Sequence, residues 1–174
     1  LPISNPTLRV VDFHGISSIC KEAGIILAVD NTFTTPKAFQ PLKHGADIVI
    51  HSVTKLLAGH SDVTLGYVVA KDAALNKRIY DFAVTTGLTA SPFDCWLAER
   101  GLLTFDLRFE KAQKNAENLA DALATHPKIA RVLYPMRKDH PDHELAKKHF
   151  KGNGCNMVSF ELTNKTRAAA NLFT

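Results

Sequence analysis

Cysteine is scarce: Cys20, Cys95 and Cys155 are the only three, they lie far apart, and none belongs to a C-x-x-C pair. That excludes a disulfide scaffold and a zinc ribbon and predicts free thiols in a reducing compartment. Long apolar runs are missing as well, since none approaches the roughly 20 residues a membrane-spanning helix needs. Leu1-Pro2-Ile3 lacks the charged-then-apolar layout of a signal peptide. No block of one charge occurs either. Lys and Arg number 21 against 17 Asp and Glu, a net charge of +4, and they are scattered instead of forming a basic stripe. Neither a membrane nor a nucleic acid is therefore expected as a partner, and the absences together predict a soluble, cytoplasmic protein. What is present is ample apolar material, 45% of 174 residues, enough for one ordinary domain or pieces of two. The chain has no initiator Met, and Asn164 to Thr174 reads as a helix begun without a capping Gly or Pro to end it. We expect a piece of a longer polypeptide.

Periodicity gives the layout. From Val10 to Ala23, Phe13, Ile16, Ile19, Cys20 and Ala23 recur at spacings of three and four, which predicts a helix with one buried face, stopped by Gly24. The unbroken apolar run Ile25-Ile26-Leu27-Ala28-Val29 predicts a parallel strand covered on both faces, ending on Asp30-Asn31-Thr32. A second run, Asp47-Ile48-Val49-Ile50, ends on His51-Ser52-Val53-Thr54-Lys55. Helix, strand, crossover and strand form the α/β signature, and in open parallel sheets ligands collect at the carboxyl ends of strands, where both polar clusters lie. Further on come a strand at Gly66 to Ala70, a helix from Ala73 to Ala83, and a helix opened by Ser91-Pro92. A helix of about six turns runs from Thr104 to His126. Strands follow at Ala130 to Tyr134 and Met157 to Leu162. The expected division is a cofactor-binding part at 1–103, a connecting helix at 104–127, and the truncated start of a small α+β domain at 128–174.

The stretch Ser52-x-Thr54-Lys55, followed by Gly59-His60-Ser61-Asp62, carries the chemistry. A lysine directly behind a buried strand is costly, because desolvation disfavours its charge, and that same effect makes the amine a better nucleophile toward aldehydes. Ser52 and Thr54, co-facial by strand alternation, suit phosphate oxygens. Aldehyde and phosphate together point to pyridoxal 5'-phosphate, whose ring nitrogen needs an acid partner. Asp30, at the neighbouring strand end, is the candidate.

These blocks, with Ser4-Asn5-Pro6-Thr7-Leu8-Arg9-Val10-Val11-Asp12 before them and Ser91-Pro92-Phe93-Asp94, Arg100-Gly101-Leu102, Leu107-Arg108, His140-Pro141 and Ser159-Phe160-Glu161-Leu162 after them, resemble the cysteine/methionine-metabolism family of pyridoxal-phosphate enzymes over nearly the whole chain. The resemblance implies an aspartate-aminotransferase-like large domain of fold type I, incomplete here. It implies that Lys55 forms the internal Schiff base, Asp30 pairs with the pyridinium nitrogen, Ser52 and Thr54 bind the phosphate, and Asn5 lies close to the cofactor. It also implies an amino-acid substrate, a homotetramer built as a dimer of dimers, and γ-elimination or γ-replacement as in cystathionine γ-lyase or γ-synthase. Cystathionine β-lyase, methionine γ-lyase and O-acylhomoserine sulfhydrylase are the alternatives. Other family elements, namely the aromatic stacked on the cofactor, the glycine-rich phosphate contact, the tyrosine and arginine lent by a neighbouring subunit and the arginine for the substrate carboxylate, would lie outside this chain. Leu1, Ile3, Leu56, Ala58 and Cys155-Asn156 depart from the family pattern.

A different class is a non-catalytic homologue that keeps the fold for assembly. A metal reading of His140, His143 and His149 finds no tetrahedral spacing to support it, so no metal is expected. His60 reads as a turn-packing residue, and the three cysteines read as structural.

Overall fold

The computed structural model describes residues 1–173. The chain opens with an irregular segment in which Ile3 and Val10 form an antiparallel bridge, and the Asn5-Pro6 peptide is cis. Helix α1 spans Phe13–Glu22, later than the periodicity predicted, because Asp12 caps it by accepting from the Gly15 amide. Gly24 follows in the left-handed conformation expected of a helix stop.

Strand β1, Ala28–Asp30, pairs in parallel with β2, Ile48–Ser52, in the register Val29 to Val49 and Asp30 to Ile50. A single-turn helix α2, Thr35–Ala38, lies in the crossover. Strand β3, Gly66–Ala70, then pairs antiparallel with β2, giving the order β1-β2-β3. The second pairing is antiparallel because the connection 53–65 holds only a tight turn, whereas a parallel return uses a crossing helix.

Helices α3 (Ala73–Thr86), α4 (Pro92–Leu102) and α5 (Phe105–Ala124) follow. Ser91 caps α4 as expected, its hydroxyl accepting from the Asp94 amide. Strand β4, Ile129–Leu133, helix α6, His143–Phe150, and strand β5, Ser159–Leu162, complete a two-stranded antiparallel sheet, after which α7 spans Arg167–Phe173. No helix among the described residues is long and apolar enough to cross a membrane.

The main core is continuous from the first segment to the last sheet. Ile3, Leu8, Val29, Phe39 and Val49 join Ala116 and Ala120 of α5 and Tyr134, Phe150 and Cys155 beyond it. One polar tie closes the same circuit: Arg9 donates from Nε and Nη2 to both Asp142 oxygens at 2.6 and 2.9 Å, and the Val10 amide adds a third bond. The Arg9 guanidinium holds the Asp142 carboxyl below the usual carboxylate range.

Two expectations about burial do not hold. Of the predicted inner face of α1 only Phe13 is buried, and Ile16 and Ile19 are exposed. Strand β1 is shorter than the apolar run and covered on one face alone, so Ile25, Ile26, Ala28 and Asp30 are open. Periodicity reports which face needs cover, and residues 1–173 do not supply it. The cysteines are free, and burial pushes the Cys155 thiol up to about 11.

Histidines give the fold a pH dependence. His51, His140 and His149 are buried, each with one ring nitrogen unpartnered, and His44 stacks on Phe39 with ring centroids 4.9 Å apart. Burial holds all four below the usual imidazole pKa. Around His149, His14, Lys148 and His44 oppose a further proton and Asp12 favours one; His14, Lys43 and Lys151 oppose one at His44. At His140, Asp142 and Asp139 favour a proton while Arg9 and Arg131 oppose it, and Asp30 favours one at His51. The unfolded chain, with imidazoles near 6.5, then binds more protons than the native state as pH falls. Stability should be fully present above that value and decline progressively below it, with each kcal/mol lost lowering Tm by ~2–4 °C. Thermal unfolding followed from pH 8 to pH 5 checks this. A flat Tm would contradict it, and His149→Gln should flatten part of the slope.

Candidate functional site

Strand β2 ends at Ser52 because the chain turns there into a π-helical turn, Val53–Leu57, within which Lys55 adopts non-helical dihedrals (φ −84°, ψ −123°). The strand alternation assumed for Ser52 and Thr54 therefore stops two residues short of Thr54. Instead, the Thr54 hydroxyl accepts from the Leu65 amide at 2.9 Å and donates weakly to the Leu65 carbonyl at 3.4 Å. The Val53 and Thr54 amides reach the same carbonyl. Thr54 thus spends much of its capacity anchoring the turn to the strand that follows it.

Lys55 is exposed, so the burial expected to press on its amine is not provided by this chain. It lines an open cleft of about 960 Å³ together with Asn5, Thr54, Ser61, Thr64 and, from near the C-terminus, Asn156. Asn5, Thr54 and Lys55 are thereby brought together. Asp30 and Ser52 do not line this cleft, yet they are joined to it through Thr32, which does. The Ser52 amide donates to Thr32 Oγ1 at 2.9 Å, and that hydroxyl donates to Asp30 Oδ1 at 2.6 Å. The Thr32 amide also donates to Asp30 Oδ1, at 2.9 Å.

The polar triplet after β1 therefore divides by role. Asp30 sits on the open sheet face. Asn31 is fully buried and ties its own loop, its side-chain amide donating to the Thr35 and Phe39 carbonyls at 3.1 and 2.9 Å. Thr32 links the two strand ends. Sequence reasoning named the triplet without assigning Thr32, although its position two residues after an aspartate, where an Asx turn forms, was a usable signal.

The set fits the cofactor inferred from the sequence. An exposed amine stands in a cleft large enough for a phosphorylated pyridine, with hydroxyls within the same turn. No protein group among the described residues hydrogen-bonds the Lys55 amine or the Ser52 hydroxyl. The Asp30 carboxylate is oriented by Thr32 and open on the sheet face. His60, by contrast, turns a ring nitrogen to the Ala58 carbonyl at 2.7 Å and packs the turn.

The residues once weighed for metal do not converge. His140 Nδ1 accepts from the Asp142 amide, His143 lies against the Pro135 carbonyl and the His149 ring lies tilted against that of His14, centroids 5.3 Å apart. Among the described residues no group of His, Cys, Asp and Glu is arranged to hold a metal.

Residues 2–174 match the family model described as Cys/Met metabolism PLP-dependent enzyme. A cystathionine gamma-lyase of Bacillus subtilis is 43% identical over 167 residues, covering 96% of this chain and 44% of that protein. A cystathionine beta-lyase of the same organism is 44% identical over 162 residues, covering 93% of this chain and 41% of that protein. Among solved structures, cystathionine gamma synthase from Xanthomonas oryzae pv. oryzae, in complex with aminoacrylate and cysteine, superposes with a TM-score of 0.93 at 44% identity, covering 98% of this chain and 43% of that one. The chain thus spans less than half the length of the relatives it matches.

Proposed function

The chain belongs to the Cys/Met metabolism PLP-dependent enzyme family, and on that premise we propose that the whole protein performs γ-elimination or γ-replacement on cystathionine or an activated homoserine. Lys55 is the reactive amine in this reading. The observation that supports it most is the exposed, unpartnered Lys55 in a cleft whose Thr32 is hydrogen-bonded to Asp30. Pyridoxal phosphate, when bound, supplies an electron sink for a carbanion.

The chain's own groups do the rest. Lys55 is the residue that would hold the cofactor through its aldehyde, and its amine, when free, would serve as the base that takes the α-proton and returns protons later in the cycle. Asp30 would pair with the cofactor's ring nitrogen and favour its protonated form. The Ser52 hydroxyl and the Thr54 hydroxyl, the latter giving up its weak bond to the Leu65 carbonyl, would hold the phosphate. Asn5, which lines the same cleft as Lys55, would lie close to the cofactor. The apolar surface of α3 and α4, including Tyr80, Phe82, Phe93 and Trp96, supports assembly as a homo-oligomer, a dimer of dimers.

Carbon counting tests the reaction. Cleaving cystathionine on the γ side leaves the four-carbon half as the oxo acid, and on the β side the three-carbon half. The whole protein, assayed with cystathionine, with methionine, and with O-acylhomoserine plus cysteine, should give a four-carbon oxo acid or cystathionine as its main product. A three-carbon oxo acid as the main product would replace this reading with β-elimination. Absence of turnover in a folded, cofactor-loaded protein would favour the non-catalytic homologue.

A further inference from the structure

Arg108, on the first turn of α5, reaches back across more than 50 residues to the turn that carries Lys55. Its Nη1 donates to the Leu56 carbonyl at 2.8 Å, and its Nη2 donates to the carbonyls of Leu57 at 3.0 Å and Gly101 at 2.8 Å. Its Nε donates to the Thr104 hydroxyl at 3.0 Å. A guanidinium has five N–H donors. Four are committed to the protein here, so Arg108 borders the cleft with its guanidinium turned chiefly to the backbone.

The surroundings are shaped around this side chain. Gly59 has φ of +77°, and a methyl group on it would overlap the Arg108 guanidinium; a methyl on Gly101 would overlap the Ala58 backbone. Beneath the turn, Val53, Ala58, Val63 and Ala98 form a small separate core. The two residues directly after Lys55 thus owe their carbonyl positions to one cation, whose pKa burial lowers without neutralising it.

We propose that Arg108 is a positioning residue for Lys55: by fixing the carbonyls of Leu56 and Leu57 it sets the backbone from which the Lys55 amine is aimed, and so governs proton transfer without touching substrate or cofactor. This rests on the assignment of Lys55 as the reactive amine. Orientation errors of about 1 Å cost roughly 10²-fold in rate. The initial, non-covalent binding of substrate, by contrast, does not depend on where that amine points.

The test uses the whole, cofactor-loaded protein and compares Arg108→Met, Arg108→Lys and Gly59→Ala with the parent. Arg108→Met should lower kcat by about 10- to 100-fold with KM within threefold, raise the isotope effect on α-deuterated substrate, and leave borohydride labelling at Lys55 intact. Arg108→Lys should not rescue it, since a compact ammonium lacks the planar fork whose separate nitrogens reach three carbonyls and the Thr104 hydroxyl at once. Gly59→Ala, acting by displacing the guanidinium, should lower kcat in the parent and add little on top of Arg108→Met. Turnover within threefold of the parent in Arg108→Met, or a kcat loss matched by the loss of folded protein, overturns the proposal. If Arg108→Met does not fold, the kcat, KM and isotope effect of Arg108→Lys and Gly59→Ala decide in the same way. Labelling of another lysine in the parent would instead overturn the Lys55 assignment, which is a separate result.

Discussion

Lys55→Ala in the whole protein should abolish borohydride-fixed attachment of the cofactor and lower turnover by at least 10²- to 10⁴-fold, the range for a positioned acid or base. In the proposed reading two roles fall together in this one substitution, the amine that would hold the aldehyde and the base that would take the α-proton. The fold should survive, because Lys55 is exposed and hydrogen-bonds no protein group among the described residues. Other lysines are poorer candidates. Lys71 is paired with Asp47, and Lys77 lies 2.7 Å from Asp81, so each amine is held by a carboxylate. Lys55→Arg should fail as Lys55→Ala does, since a guanidinium stays protonated and is no amine nucleophile at neutral pH. Mass spectrometry of the reduced protein locates the label. Attachment at Lys43, Lys71 or Lys77, or none in a folded protein given cofactor, would sink the proposed mechanism.

How much of this was legible in the sequence depended on whether the signal was local. The Ser91 cap, the extent of α5 and the left-handed Gly24 are decided within one helical turn, and periodicity and capping rules found them. The block from Ser52 to Lys55 was legible as chemistry because an amine and two hydroxyls crowd four residues. Its backbone was not. Strand alternation does not extend past Ser52, since the chain enters a π-helical turn, which has no propensity signature that sets it apart from a strand end. Burial failed where cover is non-local, as at Ile16, Ile19, Ile25 and Ile26, whose apolarity says only that a neighbour is needed. The Asx-turn spacing could have signalled Thr32's bonds to Asp30, but its link to Ser52 on the next strand and Arg108's reach from another helix are not visible in the spacing of residues.

Asp30→Ala should lower the rate of α-proton removal about a hundredfold or more, while cofactor attachment at Lys55 persists. The carboxylate is worth that much because charge support preorganised at a reacting centre contributes ~3 kcal/mol or more, and 1.4 kcal/mol is a factor of ten. Preorganisation is visible in the molecule. Asp30 Oδ1 takes both the amide and the hydroxyl of Thr32, which in turn receives the Ser52 amide, so the carboxylate direction is set by the ends of β1 and β2 and not by solvent. Asp30→Asn separates charge from geometry. It preserves the acceptor for the Thr32 bonds and loses the negative charge, and it should be nearly as slow as Asp30→Ala if the ring nitrogen requires an anion. Thr32→Val keeps the charge and loosens its direction, so its loss should be smaller than that of either Asp30 variant. Exchange of the substrate's α-deuteron with solvent, followed separately from product release, reads the step directly. Unchanged exchange in Asp30→Ala would remove Asp30 from the site, and a Thr32→Val loss exceeding that of Asp30→Ala would show that the threonine acts on something other than the carboxylate it holds.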